Sequence, residues 1–394
     1  MNAQLSLSIR SGDRQWAWWP LVPLYPYSKR QTLCQEVLKD TLWTFDQLQG
    51  IFYVVVPIRM SAVKLEAGGL LIYAPVAPTS ECVRLVRELE AQHGEVKYLI
   101  LPTISGLEHK VFVGPFARCF PNAQIFVAPH QWSYPLDLPL SWLGFPPERT
   151  HILPDDPQKT PFADEFDYAL LGPIDLGLRP FAEVAFFHKR SRSLLLTDAI
   201  VSIPEKPPAI LQGDSYPLLF HAKDDVFDVV EDSEVSRRQG WKRISLFAMY
   251  FRPSTLETIP FARALRESFR APDRSKKAYF GLFPFKWQGN WLQSFEALRD
   301  RGRPLVAPIL QTLILNRAPQ ETLAWVERVA RWEFERIVPC HFDSPIAANS
   351  HQFRKAFAFL ESGRVGGGSP DFELLKEIDE TLIARGIVPP PRVN

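Results

Sequence analysis

Four side chains of the types that bind metal ions follow short apolar segments at distant points of the sequence. They are Glu108, His109, Asp198 and His341. The apolar segments, at residues 96–101, 194–196 and 337–338, are predicted strands. In layered α/β folds, ligands bind where loops leave the strand ends, because those ends meet at one edge of the sheet. If the three strands lie side by side, two carboxylates and two imidazoles converge, and this set suits Zn²⁺, Fe²⁺ or Mn²⁺.

The same four residues can instead form a polar cluster that holds no metal ion. Glu108 can pair with a protonated His109 or His341, and Asp198 can fix a loop. With a metal ion, four protein ligands would close a tetrahedral site, which is typical of a structural metal. A long contact from Asp198 would leave a position for a water molecule, whose pKa the metal would lower. The residue types leave both interpretations open.

A second group of residues is predicted to line the cleft beside these ligands. Thr103 follows the predicted strand at 96–101, and His130, Trp132 and Tyr134 follow the next strand. They place a hydroxyl group, an imidazole and two aromatic rings near the predicted mouth of the cleft, where a small-molecule or protein ligand would contact them. Ordinary loop packing is the alternative explanation for His130 and its neighbours.

The elements that must position these residues alternate between strands and helices. Apolar segments at 51–57 and 70–73 predict a β-hairpin, and an amphipathic helix over 79–93 follows. Thr79 or Ser80 can cap this helix at its start, and Gly94 can end it. Alternating β and α elements with short connections are typical of a layered α/β domain.

Further helices are predicted on either side of this region. Apolar residues recur at helical spacing over 30–47, which predicts an amphipathic helix after an extended, proline-broken arm. Helices are also predicted over 305–316, 319–333, 348–361 and 370–385.

Several short segments resemble one protein family. They are LPTISGLEHK at 101–110, FPNA at 120–123, QWSYP at 131–135, GLLIYAP at 69–75 and LLLTD at 194–198. Together with the order of the elements, they resemble an uncharacterised branch of the metallo-β-lactamase superfamily. This branch is found in cyanobacteria and plastids and is known only as a domain of unknown function. The resemblance covers residues 45–203 and 305–360.

The resemblance implies an α/β fold, the four-layer αβ/βα sandwich of the metallo-β-lactamases, with an N-terminal arm and an insertion before the last core helices. On this basis the sequence divides into five segments. They are an N-terminal arm and helix at 1–50, the first part of the core at 51–203, the insertion at 204–304, the second part of the core at 305–361, and a C-terminal linker and helix at 362–394.

The metal-binding motif of the superfamily, Thr-His-x-His-x-Asp-His, is only partly kept. When the motif is laid on this sequence from Thr103, its first two histidines fall on Ile104 and Gly106. A middle histidine of the superfamily, expected near 177–180, is also missing. Because these three histidines form the first metal site of the superfamily, the resemblance implies that this site is lost.

The second metal site of the superfamily keeps residues of ligand type at all four positions. Glu108 takes the place of the motif's aspartate, and His109 matches its last histidine. The bridging aspartate matches Asp198, and the last histidine of the superfamily matches His341. The resemblance therefore implies a degenerate, mononuclear site with one divalent metal ion, either Zn, Fe or Mn.

Two functions of different class follow from this site. The first is a metal-dependent hydrolase. Its substrate stays unknown, because superfamily members hydrolyse lactams, thioesters and phosphodiesters, and fold alone does not choose among them. The second is a catalytically silent member of the fold that acts as a binding or assembly protein.

The composition argues against nucleic acid as a main partner. The 394 residues carry 45 Lys and Arg against 44 Asp and Glu, whereas nucleic-acid binders usually have a large basic excess. Dinucleotide and P-loop motifs are missing, so no nucleotide cofactor is expected. Four separated cysteines and no apolar run of membrane-spanning length predict a cytoplasmic protein.

Two aromatic segments leave room for a membrane-peripheral location. Residues 16–27 are rich in Trp, Tyr and Pro, and residues 261–304 interleave aromatic side chains with 10 Lys and Arg against 4 Asp and Glu. Such segments can contact an anionic membrane surface or a protein partner. Packing of both segments on the rest of the protein is the alternative.

Overall fold

The computed structural model describes residues 11–18, 20, 24–104, 108–133, 137–177, 179–362 and 369–392. The chain forms two compact units. The first comprises residues 1–49 and 58–165, and the second comprises residues 50–57 and 166–394. Each unit contains a β-sheet and helices, so the predicted α/β class is confirmed.

In the described part of the first unit, seven strands lie side by side in sequence order. They are β1 (Leu33–Leu38), β2 (Leu42–Ile51), β3 (Val54–Lys64), β4 (Leu70–Tyr73), β5 (Val96–Leu101), β6 (Gln124–Val127) and β7 (Thr150–Ile152). β1 and β2 are antiparallel, as are β3 and β4, whereas β4 to β7 run parallel. The parallel strands therefore present their carboxyl ends at one edge of the sheet, where the loops after β5 and β6 begin.

Two helices connect the parallel strands of this sheet. Helix α1 (Ser80–His93) links β4 to β5, and α2 (Lys110–Cys119) links β5 to β6. The predicted ends of α1 are confirmed, because the Thr79 side chain accepts a hydrogen bond from the Cys82 N–H and Gly94 follows the last turn with a positive φ. Both helices bury apolar side chains against the sheet in one hydrophobic core.

The predicted helix over 30–47 is wrong. The structure places β1 and β2 there, joined by a tight turn in which Asp40 has a φ of 51°. Residues on both faces of β2 are buried from Leu42 to Gln49. Apolar side chains therefore do not alternate along β2, and their spacing imitates the period of a helix.

In the described part of the second unit, five strands form a sheet in the order β14-β13-β10-β9-β8. They are β8 (Phe166–Ile174), β9 (Phe181–His188), β10 (Ser193–Leu196), β13 (Arg336–Pro339) and β14 (Ile346–Ala347). The pair β10–β13 is parallel, and the other neighbouring pairs are antiparallel. A separate two-stranded sheet is formed by β11 (Leu256–Thr258) and β12 (Phe285–Trp287).

The helices of the second unit follow its strands in two groups. The first group is α3 (Tyr216–Ala222), α4 (Glu234–Tyr250), α5 (Phe261–Ser268) and α6 (Trp291–Arg299). The second group is α7 (Pro308–Leu313), α8 (Pro319–Ala330), α9 (Ser350–Ala356), α10 (Ala358–Ser362) and α11 (Pro370–Ala384). The helix predicted over 348–361 is thus two helices, with Phe357 between them. None of the described helices has the length and apolar character needed to cross a membrane.

The five-segment division drawn from the resemblance stays a prediction. The segment 204–304 holds α3 to α6 and the β11–β12 sheet, and it belongs to the second unit. In the N-terminal arm, Trp16 and Tyr25 are buried, and Trp16 packs edge-on against Phe112 of α2.

Candidate functional site

Two neighbouring parallel strands place Asp198 and His341 together in the second unit. In the β10–β13 pair, Leu196 lies opposite Pro339. The pairing extends one step further, because the Cys340 N–H donates to the Leu196 carbonyl at 3.0 Å. Asp198 and His341 each follow two residues after these strand ends. Of the three strands expected to lie side by side, β10 and β13 do so, and the side chains of Asp198 and His341 converge as a consequence. The expectation is wrong for β5, which belongs to the sheet of the first unit.

The imidazole of His341 is held from both sides. Its Nδ1 lies 2.9 Å from the Pro57 carbonyl oxygen, and its Nε2 lies 3.2 Å from Asp198 Oδ1. A carbonyl oxygen can only accept, so Nδ1 carries a proton and donates it to Pro57. Nε2 therefore faces the carboxylate either as a second N–H donor or as a lone pair. A lone pair facing a carboxylate oxygen is repelled by it unless a metal ion or a proton lies between them.

Glu183 holds the backbone that carries Asp198. Its buried carboxylate accepts hydrogen bonds from the N–H groups of Thr197, Asp198 and Ala199, at 2.6, 3.1 and 2.9 Å. Burial raises the pKa of Glu183, and the negative charge of Asp198 raises it further, while the three donated hydrogen bonds oppose this shift. The sequence analysis missed this residue, although Glu183 is an acidic residue inside the mostly apolar strand β9.

Glu108 and His109 lie together in the first unit, at the start of α2. His109 is fully buried, and its Nδ1 is 3.1 Å from the Pro75 carbonyl oxygen. Its backbone φ of 28° is unusual for a residue with a side chain, and such strain tends to occur at functional sites. Glu108 is half-buried, and its Oε1 is 3.5 Å from Gln49 Nε2.

The two histidines share one feature that matters for metal binding. In each unit, a proline carbonyl lies next to Nδ1, since His109 meets Pro75 and His341 meets Pro57. Histidines that bind metals usually donate their other ring N–H to a carbonyl or a carboxylate, which fixes the tautomer and leaves the remaining nitrogen for the metal. Both histidines thus have the environment that an Nε2 ligand needs.

The predicted pocket residues of the first unit follow neighbouring strand ends. The Thr103 carbonyl accepts a hydrogen bond from Gln131 Nε2 at 2.7 Å, which links the loops after β5 and β6. The backbone of Trp132 is also held in place, because its carbonyl accepts a hydrogen bond from Lys110 Nζ at 2.5 Å. His130 is exposed, with a φ of 62°. Tyr134 lies outside the described residues.

Lys110 is a second residue that the sequence analysis missed. Its side chain is almost fully buried at the first turn of α2, next to His109. Burial lowers the pKa of Lys110 to about 8, partly offset by the charge of Asp137. The burial of this lysine could not be predicted from the sequence, because lysine side chains usually reach solvent.

The comparison with known protein families identifies the family of this chain. The sequence matches the domain of unknown function DUF4336 over residues 39–359, which includes all four predicted metal ligands. The chain belongs to the DUF4336 family. The prediction of an uncharacterised family is thereby confirmed. A search of curated proteins finds no match.

Several solved structures are similar to this DUF4336 chain. The DIM-1 metallo-β-lactamase exposed to ceftazidime is 8% identical, with a TM-score of 0.38, and the match covers 85% of this chain and 98% of that one. The metal-soaked flavodiiron core from Synechocystis sp. PCC6803 is 11% identical, with a TM-score of 0.40 and 84% of this chain covered. A flavodiiron protein variant from Thermotoga maritima is 7% identical, with a TM-score of 0.44 and 84% covered. The match spans 61% of each of the two flavodiiron chains.

The DUF4336 chain departs from the superfamily motif at a position that the structure describes. Ile104, which stands where the motif has its first histidine, is buried. An apolar side chain supplies no ligand atom, so this position contributes nothing to a metal site. The ligand-type atoms of Asp198 and His341, by contrast, lie 3.2 Å apart.

Proposed function

We propose that the chain is a metal-dependent hydrolase with a single divalent metal ion. Asp198 and His341 hold the ion, and the resemblance adds Glu108 and His109 as further ligands. The observation that carries this proposal is the contact between Asp198 Oδ1 and His341 Nε2 at 3.2 Å, with the imidazole fixed through Nδ1.

The donor chemistry of this pair fits a divalent metal. Ligand atoms of zinc lie about 2 Å from the metal, so two neighbouring ligands are roughly 3 Å apart. The separation of the two side-chain atoms agrees with that spacing. The hydrogen bond from Nδ1 to Pro57 orients the ring and leaves Nε2 for the ion. Carboxylate and imidazole together suit Zn²⁺, Fe²⁺ or Mn²⁺.

The protein would position the reaction, and the ion would activate water. A bound divalent metal lowers the pKa of water and so supplies a hydroxide nucleophile near neutral pH. Glu183 keeps Asp198 in place through the backbone of residues 197–199. The Asp198 side chain is 30% exposed, so water and a substrate can reach its carboxylate.

The same contact also supports a second function. A protonated His341 would donate to Asp198 in an ordinary charge-assisted hydrogen bond, and the pair would then need no metal. In that case the chain is a catalytically silent member of the fold that serves as a binding or assembly protein. Loss of the superfamily's first histidine, replaced by the buried Ile104, favours this function.

Metal content separates the two functions. Protein purified without an affinity tag or chelator is analysed by inductively coupled plasma mass spectrometry, beside His341→Ala, Asp198→Asn and Glu108→Gln. The control is His351→Ala, since His351 is an exposed residue of α9. The hydrolase proposal expects about one metal ion per chain in wild type and control, and much less in the three ligand variants.

A wild type that stays metal-free after incubation with zinc, iron and manganese would overturn the hydrolase proposal. If metal is bound, hydrolysis of chromogenic lactams, thioesters and phosphodiesters is measured for wild type and His341→Ala. Activity that persists in His341→Ala would exclude this site as its source.

A further inference from the structure

Helix α5 carries an exposed row of large apolar side chains. Phe261, Leu265 and Phe269 are 68%, 46% and 70% exposed, respectively. They are spaced four residues apart, and Phe269 at the end of α5 keeps helical backbone angles. Side chains at this spacing lie on one face of a helix. We call these three residues the apolar stripe.

The side of α5 next to the apolar stripe is packed on the second unit. Ala264 and Ser268 are buried, and the Ser268 hydroxyl donates to the Leu265 carbonyl at 2.7 Å. The helix is therefore packed along one edge and presents the apolar stripe outward. Packing in the folded chain therefore does not explain why these three positions carry large apolar side chains.

A fourth aromatic side chain lies beside the stripe. Phe280 is 67% exposed and has a φ of 57°, a conformation that costs energy for a residue with a side chain. The next residue, Gly281, approaches α5 so closely that an added Cβ would lie 2.8 Å from the Ser268 carbonyl oxygen. The turn around Phe280 is thus held against the end of α5, and it presents an aromatic ring to solvent.

Basic residues flank the apolar stripe. Arg266 and Arg270 are exposed and follow Leu265 and Phe269 by one position, so each lies next to a residue of the stripe. Within the described residues, neither arginine forms an ion pair. Arg274 and Lys276 are exposed nearby in the sequence. Over residues 261–304, 10 Lys and Arg stand against 4 Asp and Glu, a net charge of +6.

We propose that the apolar stripe docks on an anionic lipid bilayer. Phe261, Leu265 and Phe269 would enter the boundary between headgroups and acyl chains, and Arg266 and Arg270 would contact lipid phosphates. Charge decides between a bilayer and a second copy of this chain. Two copies that met through this surface would bring two strongly positive segments together and repel each other. An anionic bilayer would bury the apolar side chains and also attract the positive charge.

Vesicle co-sedimentation of the full chain tests this proposal. The vesicles contain phosphatidylcholine alone or phosphatidylcholine with about a third phosphatidylserine, in 0.15 M salt, where the Debye length is about 8 Å. One variant carries Phe261→Ser and Phe269→Ser, and another carries Arg266→Glu and Arg270→Glu. The matched controls are Trp142→Ser with Val235→Ser, and Lys159→Glu with Lys206→Glu, because these residues are exposed elsewhere.

The proposal expects wild type and both controls to sediment with anionic vesicles and much less with neutral ones. The Phe261→Ser, Phe269→Ser variant and the Arg266→Glu, Arg270→Glu variant are each expected to lose at least ten-fold in vesicle affinity, and high salt should weaken wild-type binding. Equal sedimentation with both kinds of vesicle would overturn the proposal, because charge would then play no part in docking. No sedimentation with either kind would overturn it and leave an acidic protein surface as the occupant. A wild-type dimer in light scattering that becomes a monomer in Phe261→Ser with Phe269→Ser would overturn it in favour of a second copy.

Discussion

Asp198 and His341 lie two residues beyond the ends of neighbouring parallel strands, and their side chains approach to 3.2 Å. The strand register sets this distance, because Leu196 and Pro339 are paired in β10 and β13. A shift of this pairing would move the carboxylate and the imidazole apart. The pairing of the two strands in the second sheet therefore positions the two side chains. Substitution of either residue tests whether they form a metal site.

Metal binding should stabilise the folded chain through this pair. A ligand that binds the folded state alone, at 100 times its dissociation constant, adds about 2.7 kcal/mol to the free energy of unfolding. We expect zinc to raise the melting temperature of wild type and of His351→Ala, and a chelator to reverse the change. His341→Ala and Asp198→Asn should show little response. An equal zinc response in all four proteins, measured by scanning calorimetry, would place the binding elsewhere.

Removal of the Glu183 carboxylate should destabilise the chain and loosen Asp198. Glu183→Ala leaves the buried N–H groups of residues 197–199 without their acceptor, and we expect a loss of about 2–4 kcal/mol in the free energy of unfolding. Glu183→Gln keeps one acceptor oxygen and should lose less. Glu333→Gln is the control, because Glu333 is exposed.

Urea denaturation measures these losses, and zinc titration of the folded variants measures the effect on the site. A Glu183→Ala protein with wild-type stability and wild-type zinc affinity would show that the three hydrogen bonds do not position Asp198.

Local signals made part of this structure predictable from sequence. Helix α1 could be predicted because Thr79 and Gly94 mark its ends, and Asp198 and His341 could be predicted because each follows a short apolar strand. Such signals depend only on residues that are close in sequence. The helix predicted over 30–47 failed because β2 is buried on both faces, which removes the alternation that identifies a strand.

Other parts of the site depend on contacts between residues far apart in the chain. The Pro57 carbonyl that fixes His341 is 284 residues away in sequence, and any residue type offers the same backbone oxygen. No sequence pattern can identify such a partner. Glu183 could have been identified from the sequence, because an acidic residue within a mostly apolar strand must find hydrogen-bond donors when it is buried.

The buried His221 should make stability depend on pH. Burial lowers its pKa from 6.5 to about 4, and its Nε2–H donates to the Phe52 carbonyl at 3.0 Å. Between pH 6.5 and 4 the unfolded chain binds this proton and the folded chain does not. The free energy of unfolding therefore falls as pH drops through this window, by up to roughly 3 kcal/mol.

Urea denaturation at pH 7 and pH 5 checks this prediction. His221→Gln should lose part of the pH dependence, whereas His351→Gln, at an exposed position, should keep all of it. The same slope in wild type and His221→Gln would show that His221 is not held neutral in the folded chain.

The buried ion pair between Asp46 and Arg59 should be costly to break from one side. The two residues form paired contacts across β2 and β3, with Arg59 Nε donating to Oδ1 at 2.7 Å and a second nitrogen donating to Oδ2 at 3.1 Å. Asp46→Ala leaves a buried guanidinium without this carboxylate, so we expect a loss of about 3–5 kcal/mol in the free energy of unfolding. Asp46→Leu with Arg59→Met removes both charges and should cost much less than Asp46→Ala. Urea denaturation of the three proteins decides between these outcomes. If the double variant is as unstable as Asp46→Ala, the loss in the free energy of unfolding comes from lost packing and not from the unpaired buried charge.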